Sequence, residues 1–440
     1  MKLFLYYLRN TLLIAIALII ALNIGASISG PISAKQSDSY ENLKVFADAL
    51  SIVEKNYVED VDNKDLIYGA INGMLSSLDP HSSFMPPESF KEMQVETKGK
   101  FGGVGIEITM KEGVLTVVSP IEDTPAFRAG ILAGDIIIKI DDVPTKGMTI
   151  MDAVKRMRGK KNTKVVLTIY REVEPEPIDF SIIRDIIKIR SVKSKVLEDN
   201  YGYVKVTQFQ ERTTGDLKKA LKELKKKTGK LKGLVLDLRN NPGGLLDQAV
   251  KVSDLFLSEG LIVYTDGRME AQKMKFYATG SDTEPQYPIV VIVNAGSASA
   301  SEIVAGALQD TGRGLILGTK TFGKGSVQTI LPMEDGSGIR ITTARYYTPN
   351  GRSIQAEGIT PDLIVEKVVS SVEKKHLVIR EKDLRNHMKN GDEKEETKNN
   401  KKRSEDKDDD SKEGTDNQVK SALDILKSWE IFMKGMKHNS

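Results

Sequence analysis

Apolar positions along this 440-residue chain change period several times, and each change marks a different kind of element. Residues 12–22 form an unbroken apolar run behind Lys2 and Arg9, closing in Asn23-Ile-Gly-Ala-Ser and Ile32-Ser-Ala34. Helical spacing follows, with Leu43, Phe46, Ala47, Leu50 and Val53 in phase, until Asp79-Pro80 breaks it before a turn at 81–84. From residue 98 to about 185 the pattern turns to strands, at 101–106, 134–140 and 164–170. A loop with a short helix over 119–131 and a helix over 149–157 interrupt them. Strands return at 203–206, 234–238, 288–293 and 315–317, separated by helices that begin near 217, 246 and 302. Residues 341–365 read as a strand, a turn and an edge strand. Between Met388 and Val419 there is no large apolar residue; then Val419, Ala422, Leu426, Trp429, Met433 and Met436 recur at steps of three and four.

The two ends carry information beyond secondary structure. A basic start, a short apolar core and a small-residue exit are the layout of a secretory signal. Counted from Leu3, the stretch nearly reaches spanning length, so residues 1–34 read as a signal peptide or a membrane anchor. The charged segment over 367–418 cannot bury enough surface to fold and is expected to be largely disordered. The last helix, 419–438, has one wide apolar face, expected to dock on its own chain or on a partner subunit.

Length calls for two or three domains. Sixty-four basic against 61 acidic residues, a net +3, give no reason to expect nucleic acid as a partner. With no cysteine there is no disulfide, thiol nucleophile or cysteine metal site. The turn Arg239-Asn-Asn-Pro-Gly-Gly244, between a strand and a helix, suits anion binding. It lacks the Lys-Ser/Thr of a P-loop, which argues against a nucleotide.

Two stretches carry chemistry. After the strand 288–293 the chain enters small residues, with Ser297, Ser299 and Ser301 alternating with Gly296, Ala298 and Ala300, and a helix begins at Glu302. A strand turning through small residues into a helix presents a hydroxyl beside the helix's first free N–H groups. Downstream, Lys324 stands between Gly323 and Gly325, where an isolated lysine would be an ordinary loop residue. A serine needs a base, and the four histidines serve poorly: His376, His387 and His438 lie in or beside the charged tail, and His81 sits in a turn. A buried lysine, its amine kept neutral by desolvation, is the other option.

With these residues in place, Gly296-Ser-Ala-Ser-Ala-Ser-Glu302 and Phe322-Gly-Lys-Gly-Ser-Val-Gln328 resemble the catalytic region of the carboxyl-terminal processing peptidases, or tail-specific proteases. The resemblance spans roughly residues 40–366 and implies an α/β fold: a crotonase- or ClpP-like protease core (186–366) with an inserted PDZ domain (98–185), a helical N-terminal region (40–97) and a C-terminal amphipathic helix. It implies Ser299 as nucleophile, Lys324 as base and Gln328 as the residue orienting the lysine. Gly243 or Gly244 with Ala300 would form the oxyanion hole, the choice of glycine staying open. Gly103, Val104, Gly105 and Ile106 would cradle a peptide's C-terminal carboxylate, with Arg158 a candidate sensor of the bound peptide. The expected function is therefore an exported serine endopeptidase that recognises free protein C-termini and cleaves tails without metal or cofactor. Its setting would be the periplasm or the inner membrane with the catalytic domain outside the cytoplasm. A homo-oligomer through the terminal helices is left open. Two rivals stand beside this reading: a non-catalytic PDZ adaptor, which would not need Ser299, Lys324 and Gln328 intact, and an acyl-CoA enzyme, which would not need the PDZ domain.

Overall fold

The computed structural model describes residues 33–368, 379–384, 386–388 and 416–438, so all but the last two residues of the candidate leader and most of the charged segment lie outside the described residues. The chain divides into two compact units, residues 1–73 and 74–440. Helix Ser33–Asn56 belongs to the first, and helix Asn63–Ser76 begins in it. Leu43, Phe46 and Val53, in phase along the first helix, are exposed. Among the described residues no helix is long and apolar enough to cross a membrane.

In the second unit, strands Ile106–Lys111, Val114–Pro120, Ile136–Ile140, Lys164–Tyr170 and Ile178–Ile183 form an antiparallel sheet in that order. Alternation decides its faces: Val165, Leu167 and Ile169 are wholly buried while Lys164 and Tyr170 are exposed. Helix Ile150–Met157 closes this core with Ala153 and Met157. It starts at a capping box in which Thr149 and Asp152 satisfy each other's backbone N–H. Strands Lys100–Gly103 and Asp185–Lys188 pair antiparallel where the chain enters and leaves this module.

The larger core is a six-stranded sheet: Val192–Val196, Gly202–Val206, Leu234–Asp237, Ile289–Val293, Leu315–Gly318 and Leu363–Ile364. The first pair is antiparallel and all later pairs are parallel. Strand Ile289–Val293 reads as a continuous apolar run because both faces are covered. Val291 and Val293 meet helices Thr213–Thr228, Leu246–Asp254 and Ala300–Asp310, whereas Val290 and Ile292 meet Ala422, Leu423 and Leu426 of helix Asn417–His438. A second sheet runs Ser83–Met85, Gly338–Tyr347, Leu261–Gly267, Lys275–Tyr277, with Ser326–Pro332 paired to Gly338–Tyr347.

Two expectations change at the C-terminal end. Within the segment expected to be disordered, Glu381–Asp383 forms a short turn whose Glu381 is wholly buried, because its carboxylate finds partners on two other parts of the chain, given below. The last helix docks through a narrower face than its apolar steps suggest: Trp429 is half exposed. On the inner side at that level Glu430 instead receives the Tyr201 hydroxyl at 2.9 Å and pairs with Lys232. Leu426→Ala, at a site 1% exposed, should cost about 2–5 kcal/mol in denaturant unfolding, whereas Ile431→Ala, 73% exposed, should stay within about 0.5 kcal/mol of wild type.

Candidate active site

Three neighbouring parallel strands, Leu234–Asp237, Ile289–Val293 and Leu315–Gly318, end side by side, and the loop after each carries one part of the site. Ligands of open α/β sheets gather at the carboxyl ends of strands for this reason: the loops there converge. The loops are the Arg239–Gly244 turn, the serine turn and the lysine loop.

The serine turn is locked from both sides. Ser297 Oγ donates to Leu238 O at 2.8 Å, Ser301 Oγ donates to Asn241 O at 2.9 Å, and Ala298 N–H donates to the same carbonyl at 3.0 Å. Both of these serines are fully buried and their hydroxyls are committed. Ser299 differs. It is 9% exposed and adopts φ 53°, ψ −111°, a conformation that costs a non-glycine residue roughly 1–3 kcal/mol. Burial pushes the Tyr346 phenol up to about 12, with the Ser299 side chain opposing the shift, so it stays protonated.

Glu302, on the first turn of the serine helix, holds the strained geometry in place. Its wholly buried carboxylate accepts Ser299 N–H at 2.8 Å, Thr321 Oγ1 at 2.5 Å, Gly323 N–H at 2.8 Å and Lys324 N–H at 2.9 Å. The main chains of Ser299 and Lys324 thus share one oxygen, Oε2. Burial raises this carboxyl to about 7, against the pull of those four hydrogen bonds. Periodicity marks Glu302 only as the start of a helix; the signal for its role is its place three residues after Ser299, the Ser-x-x-Glu spacing of a capping box.

Burial lowers the Lys324 amine below its ordinary value; the charges of Glu381, Asp79 and Glu302 oppose the shift and Arg340 adds to it. Among the described residues no hydrogen bond joins Lys324 Nζ to Ser299 or to Gln328. Gln328 Nε2 donates to Thr342 Oγ1 at 2.8 Å and Ser326 Oγ at 3.2 Å, which leaves Gln328 Oε1 buried without a partner. Glu381 braces the lysine loop from outside. It pairs with His81 Nε2 at 2.7 Å, accepts Gln355 Nε2 at 2.9 Å, and its own N–H donates to Phe322 O at 3.2 Å. Gln355 Oε1 in turn accepts Gly325 N–H at 3.0 Å.

The Arg239–Gly244 turn lies against Ser299. A β-carbon on Gly243, whose φ is 103°, would fall 2.9 Å from Ser299 Cβ and 3.0 Å from Ala300 N, so only glycine fits. Asn241 Oδ1 takes the Gly243 N–H at 2.9 Å. The N–H groups of Gly244 and Ala300 have no acceptor among the described residues.

In the smaller module, Gly103, Val104, Gly105 and Ile106 line one groove together with Phe101 and Arg158. Thr124 fills the space a β-carbon on Gly105 would need, at 2.4 Å, and the N–H groups of Val104 and Gly105 have no acceptor among the described residues. Arg158 lies 4.6 Å over the Phe101 ring and pairs with Glu92 of helix Pro87–Lys98.

Comparison with known proteins agrees with this layout. The family model Peptidase family S41 matches residues 200–365, PDZ domain matches 102–182, and Activating protease CtpB N-terminal domain matches 26–89. A Carboxy-terminal-processing protease of Bartonella bacilliformis is 51% identical over 357 residues, covering 80% of this chain and 82% of that one. Carboxy-terminal processing protease CtpA of Bacillus subtilis is 38% identical over 362 residues, 81% of this chain and 75% of that one. Among solved structures, a Photosystem II D1 C-terminal processing protease is 32% identical, covering 73% of this chain and 92% of its own, with a TM-score of 0.43. Half-identity across four-fifths of both chains decides the matter: this chain belongs to the carboxy-terminal processing proteases of peptidase family S41, serine-type peptidases that carry a PDZ domain.

Proposed function

We propose that the protein is an exported endopeptidase that captures the free C-terminus of a protein in the PDZ groove and cleaves upstream through a Ser299–Lys324 acyl-enzyme. The observation that carries the reading is the shared Glu302 oxygen, which fixes a strained, partly accessible serine and a buried lysine of lowered pKa to one point. Export rests on the basic, apolar and small-residue layout of residues 1–34.

In this mechanism neutral Lys324 takes the Ser299 proton as Oγ attacks the scissile carbonyl. The N–H groups of Gly244 and Ala300 receive the oxyanion, since Gly243 N–H already serves Asn241. The lysine then gives its proton to the departing amine, and water releases the acyl group by the reverse path. Gln328 Oε1, unpartnered at rest, is the acceptor that holds the lysine once its side chain swings toward Ser299. Arg158 would report an occupied groove through Glu92: helix Pro87–Lys98 also carries Phe90, which abuts Gly338 on the strand that bears Tyr346.

Ser299→Ala should abolish turnover and leave binding of a free-tailed peptide unchanged; undiminished proteolysis would move the nucleophile elsewhere. Amidating the peptide's C-terminus should weaken binding about ten- to a hundred-fold, because a charge-assisted hydrogen bond contributes roughly 1.5–3 kcal/mol. Equal affinity of the two peptides by calorimetry would remove the groove from substrate capture. For the base, kcat/KM should rise with pH through the lowered pKa of Lys324, since only the neutral amine accepts a proton. Lys324→Arg should be inactive at every pH because arginine does not deprotonate in a protein. A pH profile showing activity in that variant refutes the Ser–Lys assignment.

A further inference from the structure

The Arg239–Gly244 turn is anchored at its first residue by a group from far along the chain. Arg239 is 8% exposed, and each of its five guanidinium N–H groups has an acceptor. Nε donates to Asp237 Oδ1 at 2.9 Å and Nη2 to Asp237 Oδ2 at 2.6 Å. Nη1 and Nη2 donate to Asp416 Oδ1 at 3.0 Å and Oδ2 at 2.6 Å, and Nη1 also donates to Gln418 Oε1 at 2.8 Å. Asp237 Oδ1 takes the Arg239 main-chain N–H as well, at 3.0 Å, so the side chain and the backbone of the turn's first residue are fixed together. Two residues on, Asn241 spans the turn: its carbonyl receives the serine turn and its Oδ1 takes Gly243 N–H.

Asp416 does two things with one carboxylate. Its Oδ1 also caps the C-terminal helix by accepting Gln418 N–H at 3.1 Å and Val419 N–H at 3.2 Å. Docking of that helix and satisfaction of Arg239 are therefore a single event. Without Asp416, two guanidinium N–H groups would face a half-buried site with no acceptor, and the arginine would turn toward water, pulling on Asp237 and the turn.

We propose that Asp416 is a positioning residue for catalysis: through Arg239 it holds the Gly244 N–H where the oxyanion forms, so the C-terminal helix completes the protease site. This rests on the reading of the turn as the oxyanion hole. The test uses the full chain carrying Asp416→Asn or, should that not fold, Asp416→Ser, beside Leu426→Ala as a control that loosens the same helix by packing alone. Three quantities are read: kcat and KM for a free-tailed peptide, affinity for a peptide aldehyde, and melting temperature. The aldehyde forms a hemiacetal with Ser299 and has no C-terminal carboxylate, so its affinity reports the protease site alone. Expected for Asp416→Asn are a loss of kcat of at least about ten-fold with KM unchanged, and an equal loss of aldehyde affinity. Leu426→Ala should melt lower while kcat at 25 °C is kept. Wild-type kcat and aldehyde affinity in Asp416→Asn overturn the proposal, as does a kcat loss in both variants that tracks melting temperature. An inactive Ser299→Ala beside a fully active Asp416→Asn sinks this proposal alone, whereas an active Ser299→Ala sinks the reading of the site itself.

Discussion

A buried carboxylate with four donors around it sets the geometry of the candidate site. Glu302 has no contact with solvent, and a charge so placed is tolerable only when its lone pairs are fully used. Its donors come from two loops that are separate in sequence, at Ser299 and at 321–324. Neither loop can relax without leaving an acceptor empty in the interior. That penalty is what lets Ser299 remain at positive φ, and it ties the lysine loop to the serine turn before any substrate arrives. A carboxyl raised to about 7 also places the clamp within reach of protonation near neutral pH, where one acceptor site would become a donor.

The same logic recurs one strand away in a different chemical form. Where Glu302 gathers three N–H groups and a hydroxyl onto an anion, Arg239 gathers two carboxylates and an amide oxygen onto a cation, with every donor of the guanidinium used. The two clusters flank the serine turn, one toward each neighbouring strand. Between them Ser297 and Ser301 commit their hydroxyls to the main chain of the adjoining turn. Of three serines in five residues, two are rivets and one is left accessible.

Much of this was legible in the sequence because the loops are written in residues with few alternative uses. Small residues at 296–301, glycines around Lys324 and Asn-Asn-Pro-Gly-Gly at 240–244 each mark a backbone doing something a larger side chain would prevent. The apolar run at 288–293 likewise announces a strand covered on both faces. Adjacency was not legible: three strand ends come together through parallel pairings between distant segments, and periodicity says nothing about which strand lies beside which. Composition misled at the tail. Residues near 381 read as solvated charge, yet Glu381 is buried, because one histidine and one glutamine from elsewhere supply its partners. Pattern also overstated the apolar face of the last helix, where Glu430 meets Tyr201.

The long reach of these contacts bears on when the candidate site can be completed. Arg239 meets Asp416 across 177 residues of chain, and His81 meets Glu381 across 300. Contacts of such sequence separation form late in folding, since a large loop must close before they contribute. During synthesis the serine turn and the lysine loop leave the ribosome well before Asp416 does. A growing chain can therefore assemble the serine turn and the lysine loop while Arg239 still lacks three of its five side-chain contacts. Because Asp416 follows both loops in the chain, the sheet and its loops are made before the Arg239 cluster can be completed, which separates the appearance of the fold from the locking of the turn.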